Sequence, residues 1–328
     1  MESLYNEIID KLLDMRPDPI PHFVLLKEFK GYTSDCIEYQ NAYKKVCEHS
    51  YVKKIAEGQN SKGFWPHFHA QSESMIRRLL WYGLDNSHVC LKKVNEYTIK
   101  LLHGKEPHDR SEKQDNIRWW PEIFMPLCCA ATLSLLDSTH SDIQLHRVRW
   151  AAFAESAFSM GVYNREIDAK TQNDYFGFRT KQIIEPFNYY NLLLLSPRDD
   201  INCLTTDTDQ ALVDYCVNEA KFIGYVYNKN PGDLVSIDMQ NRDSRDFVHW
   251  IRALSLISQF KGWAKYEQKY TDWIMGQRNQ DGLWVFPKKY GQLGVSNLFG
   301  LSDSWRGNNK AIDSTIFVLR MLMRKQAL

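Results

Sequence analysis

The feature that most constrains this chain is the helical spacing of its apolar residues, which persists almost from end to end. Leu4, Ile8, Ile9, Leu12 and Leu13 fall at i, i+4, i+5, i+8 and i+9, one stripe of an amphipathic helix. Met75, Leu79 and Leu80 begin another stripe that runs out at Gly83, a residue suited to closing a helix. Val94, Tyr97, Leu101 and Leu102 mark one side of 89–102, and Pro121 sits where a first helical turn begins, before the apolar run Ile123 to Leu136. The same spacing predicts helices at about 142–160, 180–195, 208–227, 244–260, 264–277 and 311–324. No run alternates with the period of a strand. With only 16 Gly and 11 Pro in 328 residues, below the usual ~7% and ~5%, there are few residues to interrupt helices. The reading is all-α, with roughly a dozen helices.

Charge narrows the function classes. Lys and Arg number 41 against 40 Asp and Glu, so the chain lacks the basic surplus that general nucleic-acid binding requires. Seven cysteines, Cys36, Cys47, Cys90, Cys128, Cys129, Cys203 and Cys216, form no CxxC and are odd in number, which points to reduced thiols in a cytoplasmic setting. The start, Met1-Glu2-Ser3-Leu4, is acidic and lacks the apolar run of a signal peptide. No stretch approaches the roughly 18 apolar residues of a membrane span. No Ser/Gly/Pro-rich linker divides the chain. The polar stretch Gly104 to Asn116 reads as an exposed loop inside one domain, because helices of the same style flank it.

One short pattern occurs twice. Residues 55–66 read IAEGQNSKGFWP and residues 274–287 read IMGQRNQDGLWVFP. Each has a helix end and then Asn-x-x-Gly-x-Trp: Asn60, Gly63 and Trp65 in the first, Asn279, Gly282 and Trp284 in the second. A Pro follows within three residues, and then an apolar helix, aligned here as Ser74 to Leu79 with Ser314 to Leu319. Gly supplies the backbone freedom to turn, Asn bonds the turn, and the Trp folds back between helix ends. Arg118-Trp119-Trp120-Pro121 is a degenerate third copy. Repeated helix pairs in one chain imply a solenoid or a closed toroid.

These residues resemble the QW-type repeats of the terpenoid cyclase and protein prenyltransferase superfamily. The best match is Gln277-Arg278-Asn279-Gln280-Asp281-Gly282-Leu283-Trp284, with the Gln one residue further from the Gly than in that family's Gln-x-x-x-Asp-Gly-x-Trp pattern; the copy at Gln59 to Trp65 lacks the Asp. The resemblance implies a single α/α toroid over residues 1–328, with inner helices lining a central cavity. Squalene-type cyclases carry two such α domains, so a full triterpene cyclase is not expected.

Three groups of residues are candidates for chemistry. Thr206-Asp207-Thr208-Asp209-Gln210 resembles the Asp-x-Asp-Asp motif of class II terpene cyclases, where a carboxylic acid protonates an alkene or epoxide; Asp209 maps to the acid and Asp207 to its support, while Gln210 replaces the last Asp. The alternative is a helix N-cap at Thr205 or Asp207. Asp214, Cys216 and a later His249, after Arg245-Asp246-Phe247, resemble the zinc residues of prenyltransferase β-subunits, although the separation is much shorter here. The alternative is a buried Cys216 and a helix N-capped near Ser244. The third group is aromatic: Trp65, Trp119, Trp120, Tyr189, Tyr190, Trp250, Trp284 and Trp305. Aromatic faces stabilise cations and pack on isoprenoid or sugar rings. Trp119, Trp120, Tyr189, Tyr190 and Trp305 are the cavity candidates, whereas Trp65 and Trp284 are repeat residues and the Asp303/Arg306 pair around Trp305 also fits a surface turn. His67 and His69 read as loop hydrogen-bonding groups. There is no Asp-Asp-x-x-Asp, Walker loop, GxGxxG, GxSxG or HExxH.

The leading expectation is a toroid acting on a small apolar, isoprenoid-like substrate, with zinc as the only cofactor candidate and no nucleic-acid partner. A carbohydrate-active α/α lyase or hydrolase and a non-catalytic ligand- or partner-binding toroid are the alternatives.

Overall fold

The computed structural model describes residues 2–107, 118–179, 182–197, 201–220, 246–286 and 300–324. Among them there are fourteen α-helices and no strand. The chain forms two compact units: Met1–Val94 with Tyr270–Gln326, and Asn95–Lys269. Both divisions fall inside helices rather than in a linker.

The first unit holds α1 (Glu2–Asp14), α2 (Pro19–Val24), α3 (Ile37–Glu48), α4 (Ser50–Glu57), α5 (Glu73–Trp81) and α14 (Asn308–Leu322). It also holds the start of α6 (Val89–Leu102) and the end of α13 (Ala264–Met275). Of the stripe read from the sequence of α1, Ile8, Ile9 and Leu12 are in the core and Tyr5 joins them, while Leu4 and Leu13 are only half-buried. α5 ends as expected at Gly83, whose φ of 81° lets the Gly83 and Leu84 amides turn back to the Leu80 and Leu79 carbonyls at 2.9 and 3.1 Å. A buried ion pair crosses this unit. Arg320 on α14 donates Nε and Nη2 to the Glu28 carboxylate at 2.7 and 2.6 Å, donates Nη2 to the Trp81 carbonyl at 2.8 Å, and lies 4.1 Å over the Trp81 ring.

Both copies of the repeat lie in this unit, and they match bond for bond. The Trp65 indole N–H donates to the Ile55 carbonyl at 2.8 Å, and the Trp284 indole N–H donates to the Ile274 carbonyl at 2.8 Å. Each carbonyl belongs to the last turn of a helix, α4 or α13, where backbone acceptors have no partner within the helix. Asn60 Oδ1 accepts from the Lys62 and Phe64 amides at 3.0 and 3.2 Å; Asn279 Oδ1 accepts from the Asp281 and Leu283 amides, both at 3.0 Å. The Asn60 and Asn279 amides close each turn on the carbonyls of Phe64 and Leu283 at 2.8 Å. The Trp backbone N–H then donates to a hydroxyl on the following helical stretch, Ser72 for Trp65 and Thr315 for Trp284. The helix partners are therefore in a different register from the Ser74/Ser314 alignment suggested by sequence: Ser72 corresponds to Thr315. The sequence alignment followed side-chain type, whereas the structure aligns the groups that accept the Trp amide.

The second unit holds the rest of α6 and α13 together with α7 (Met125–Leu136), α8 (Ser141–Ala157), α9 (Arg165–Phe176), α10 (Tyr189–Leu195), α11 (Thr206–Asn218) and α12 (Asp246–Ile257). α10 packs on α7, α8 and α12, and α8 packs on α9. Pro121 sits in the first turn of a π-helical segment, Trp120–Phe124, that leads into α7. Where the third repeat copy was expected, the residues ahead of Trp119 lie largely outside the described set.

Two boundaries differ from the sequence expectation. The helix predicted over 180–195 starts only at Tyr189, because Pro186 disfavours helical backbone at Glu185 and Asn188 caps a new start. α9 carries no apolar stripe and was not foreseen. Its signals are an Asn164 cap, accepting from the Glu166 and Ile167 amides, and Gly177 at φ 69°. Residues 221–227 of the predicted 208–227 helix lie outside the described set.

The two repeat glycines support a direct test. Both have positive φ, 96° at Gly63 and 77° at Gly282, which a side chain adopts at a cost of ~1–2 kcal/mol. A Cβ at Gly63 would also sit 2.8 Å from the Lys93 carbonyl oxygen, while one at Gly282 would meet open space. Gly63→Ala is expected to lose at least ~1 kcal/mol more than Gly282→Ala in urea unfolding. Equal losses would show that the two turns are not constrained as described.

Candidate functional site

The candidate aromatics divide between the units. In the second unit, α7 with its leading segment and α10 bring four of the five cavity candidates together around one ring that the sequence reading passed over, Phe124. Trp119 stacks on Phe124 at 5.4 Å with planes 9° apart, and Trp120 tilts against it at 4.9 Å. Tyr190 meets Phe124 edge-on at 5.5 Å, and Tyr189 packs on Tyr190 at 5.4 Å. The Arg252 guanidinium, from α12, lies 5.3 Å over the Tyr189 ring. All six side chains are buried. The one sequence signal for Phe124 is its place four residues beyond Trp120; that it also gathers Tyr190 of α10 shows only in the packing. Arg252 carried no motif.

The fifth candidate, Trp305, is elsewhere. It sits half-buried in the turn before α14 in the first unit, between exposed Asp303 and Arg306. Asp303 bonds His49 Nε2 through its carboxylate at 2.7 Å and Asp18 through its amide at 2.9 Å. The surface-turn alternative describes this segment.

The Asp207/Asp209 pair does not come together as an acid and its support. On a helix, residues two apart point about 200° away from each other. Both lie in the first turn of α11, so Asp207 faces solvent and Asp209 faces the interior. Asp209 Oδ1 accepts from the Gly262 amide at 2.6 Å and Oδ2 from the Lys261 amide at 3.3 Å. These amides open the 3-10 turn Lys261–Trp263, so Asp209 ties the start of one helical element to another. Burial raises its pKa, opposed by the two amides. Gly262 has to be glycine here: a Cβ would lie 2.9 Å from Gln210 Cα and 3.1 Å from Asp209 Oδ1. Thr205 is the N-cap, accepting from the Thr208 amide at 3.3 Å.

The same geometry separates the zinc candidates. Asp214 and Cys216 are also two apart on α11. Asp214 accepts from Tyr266 Oη at 2.6 Å, Gln210 Nε2 at 2.9 Å and Lys265 Nζ at 3.0 Å. Burial works against its ionisation, yet those three donors hold it below the ordinary carboxylate range. Cys216 is buried in the core, and burial pushes its thiol pKa up, away from the thiolate a metal needs. The His249 side chain lies outside the described set. Asp214 and Cys216 do not fit a shared ion. His69 bonds Glu73 across one helical turn at 2.8 Å, while the His67 carbonyl accepts from the Ser72 hydroxyl at 3.0 Å.

A further polar cluster in the second unit escaped the sequence reading. Asp168, in the first turn of α9, is fully buried. Its Oδ2 accepts from Tyr163 Oη at 3.0 Å and its Oδ1 from Gln172 Nε2 at 2.7 Å. Burial pushes its pKa up to about 7; Gln172 and Tyr163 oppose the shift and the nearby Glu185 adds to it. Burial likewise raises Glu185 and Tyr163. Phe187 packs between Tyr163 at 4.9 Å and Tyr215 at 4.8 Å. α9 is polar along its length, so nothing in its spacing marked Asp168 as interior.

Among known proteins, no family model, curated protein or solved structure matches this chain.

The roles of the two α11 carboxylates separate by mutation. Asp209→Ala removes the acceptor of two amides and is expected to cost ~1–3 kcal/mol of stability in urea unfolding. Asp207→Ala, at an exposed position, is expected to stay within ~0.5 kcal/mol of the parent. Comparable losses for both would contradict the tie.

Proposed function

We propose that this chain is a helical toroid protein of the terpenoid cyclase and prenyltransferase type, and that it holds a small apolar, isoprenoid-like ligand against the aromatic wall of the second unit. The observation that carries the reading is the meeting of Trp119, Trp120 and Tyr190 on Phe124, with Tyr189 packed on Tyr190. Four rings chosen from sequence for their chemistry converge from two separate segments. Stacked and edge-on rings present both faces and edges to a branched hydrocarbon, and ring faces favour electron-poor carbon. Arg252 beside Tyr189 adds a buried positive charge at one end of that wall, suited to the anionic head of a prenyl diphosphate. The doubled Asn-turn and tryptophan unit supports the family reading at the level of architecture.

Asp209 is left out of the chemistry, because both of its oxygens serve backbone amides. The proposal is therefore of ligand binding, with turnover to be read out rather than assumed.

Titration with farnesyl and geranylgeranyl diphosphate, followed by tryptophan fluorescence and by mass spectrometry of extracted products, tests it. Saturable binding is expected, weakened about tenfold or more by Trp120→Ala or Tyr190→Ala, a loss of ~1.4 kcal/mol or more. Trp65→Phe, in the first unit, should leave the affinity unchanged. Binding that is absent, or equally weak in all three variants, would remove the aromatic wall as the site.

A further inference from the structure

The second unit holds another aromatic group, and this one reaches solvent. Tyr163 comes from the loop before α9, Phe187 from the segment before α10, and Tyr215 from α11. Their ring centroids form a nearly equilateral triangle: Tyr163 to Phe187 4.9 Å, Tyr163 to Tyr215 5.2 Å, and Phe187 to Tyr215 4.8 Å. The planes cross at 85°, 55° and 38°, so the rings form no flat stack. Phe158 backs the group from inside, 5.7 Å from Tyr163 and 6.0 Å from Tyr215, and is buried. The three rings of the triangle are each half-exposed. The Tyr163 hydroxyl is tied to Asp168, which fixes its ring in place.

The charge beside the triangle is negative. Glu185 precedes Phe187 by two residues and lies close enough to raise the pKa of Tyr163, Tyr215 and Asp168. Exposed Arg165 acts on it from a distance, and among the described residues no Lys, Arg or His forms an ion pair with it. Other rings of this unit that reach solvent carry a cation supplied by the chain itself. Arg118 lies 4.2 Å over Phe178, Arg149 lies 4.9 Å over Tyr175, and Lys265 Nζ lies 5.3 Å over Tyr266. Among the described residues no cation lies over Tyr163, Phe187 or Tyr215. Three half-exposed rings and a carboxylate thus stand together without the positive charge that their neighbours have.

We propose that Tyr163, Phe187 and Tyr215, with the Glu185 carboxylate, bind a small quaternary ammonium solute of the choline type. A point over a triangle with sides this short stands within the ~6 Å reach of all three centroids, so one cation interacts with three rings. Methylation suits the nitrogen to this place. A quaternary ammonium has no N–H to leave unsatisfied, and its methyl groups bury against ring carbon, whereas a primary ammonium loses hydrogen bonds to water that ring faces do not replace. Glu185 supplies the countercharge, and a cation there favours the ionised carboxylate that burial otherwise disfavours. The wall around Phe124 is a different site: its rings are closed to solvent, and its charged neighbour is the cation Arg252.

Titration of the full chain with choline, followed by calorimetry and by the upfield shift of the choline methyl proton resonance, tests the site. Saturable binding in the millimolar range is expected. The uncharged isostere of choline, with carbon in place of nitrogen, should bind about tenfold more weakly or worse. Tyr215→Leu keeps apolar bulk but removes a ring, and should weaken choline about fivefold or more. Glu185→Gln removes the charge in the same shape, and should weaken it about threefold or more while flattening its salt dependence. Tyr266→Leu, whose ring already lies under Lys265, should bind choline as the parent does. Equal binding of the isostere would overturn the proposal in favour of a plain apolar patch. Absence of saturable binding, or an affinity unchanged in both Tyr215→Leu and Glu185→Gln, would also overturn it. Should Tyr215→Leu fail to fold, Phe187→Leu takes its place with the same expectation. Binding confined to phosphatidylcholine vesicles, with none of free choline, would overturn it in favour of a membrane headgroup.

Discussion

A helix leaves four amides unpaired at its start and four carbonyls at its end, and a fold made of many short helices meets that shortfall again and again. In this protein the answers to it position nearly everything else. The clearest is the tryptophan unit. An indole N–H reaches back ten residues to a carbonyl in the last turn of the preceding helix, and an asparagine-bonded turn supplies the reversal that makes the reach possible. Its hydrophobic and hydrogen-bonding roles cannot be separated, because the ring that fills the gap between helix ends also carries the donor. This is why Asn, Gly and Trp recur together. Remove the turn and the indole no longer arrives; remove the indole and a buried carbonyl is orphaned.

The same constraint explains the acidic residues that first suggest catalysis. Asp209 accepts the opening amides of a 3-10 turn. Asp313 takes the Leu301 and Ser302 amides and the Ser302 hydroxyl at 3.0, 3.1 and 2.6 Å, and Asp18 takes the Asp303 amide and Asn309 Nδ2. These carboxylates organise chain ends and turns. Their burial raises the pKa of Asp209 and Asp313, and a raised pKa in a buried acid is also what a catalytic acid shows. Donor identity separates the two cases: a carboxylate whose oxygens are taken by backbone amides, one on each oxygen of Asp209 and two on Oδ2 of Asp313, is a structural tie, since those donors cannot leave without unmaking a turn or helix start.

How much of this was legible in the sequence depended on whether the signal was a period or a contact. The α1 stripe, the close at Gly83, the Thr205 cap and both tryptophan turns could be read because each is local: a spacing, a positive-φ glycine, a side chain reaching its own backbone. α9 was missed because its burial is confined to Asp168 and Gln172, which no apolar pattern reveals. Pairing Asp207 with Asp209, and Asp214 with Cys216, went astray because linear proximity was read as spatial proximity. On α11 two residues apart means opposite sides, so Asp207 is exposed beside buried Asp209, and Asp214 is half-buried beside fully buried Cys216. The aromatic wall falls between these cases: its members stood out by type, but their convergence depends on Phe124, whose role is visible only once α7 and α10 are packed.

Placement of that wall returns to the helix ends. α10 is seven residues long, too short to hold its position by its own backbone bonds. It is located by burial against α7, α8 and α12 and by the Asn188 cap, whose place is set in turn by Pro186 and by the bonds at Glu185. Shifting the start of α10 by one residue would rotate Tyr189 and Tyr190 by about 100°, taking Tyr190 off Phe124 and Tyr189 away from Arg252. The aromatic geometry therefore depends also on the non-helical segment before α10, where Gln172 of α9 meets both the amide and the carbonyl of Ile184. A buried polar residue on an otherwise solvated helix is costly for stability alone. Gln172 offsets that cost by satisfying both backbone groups of Ile184.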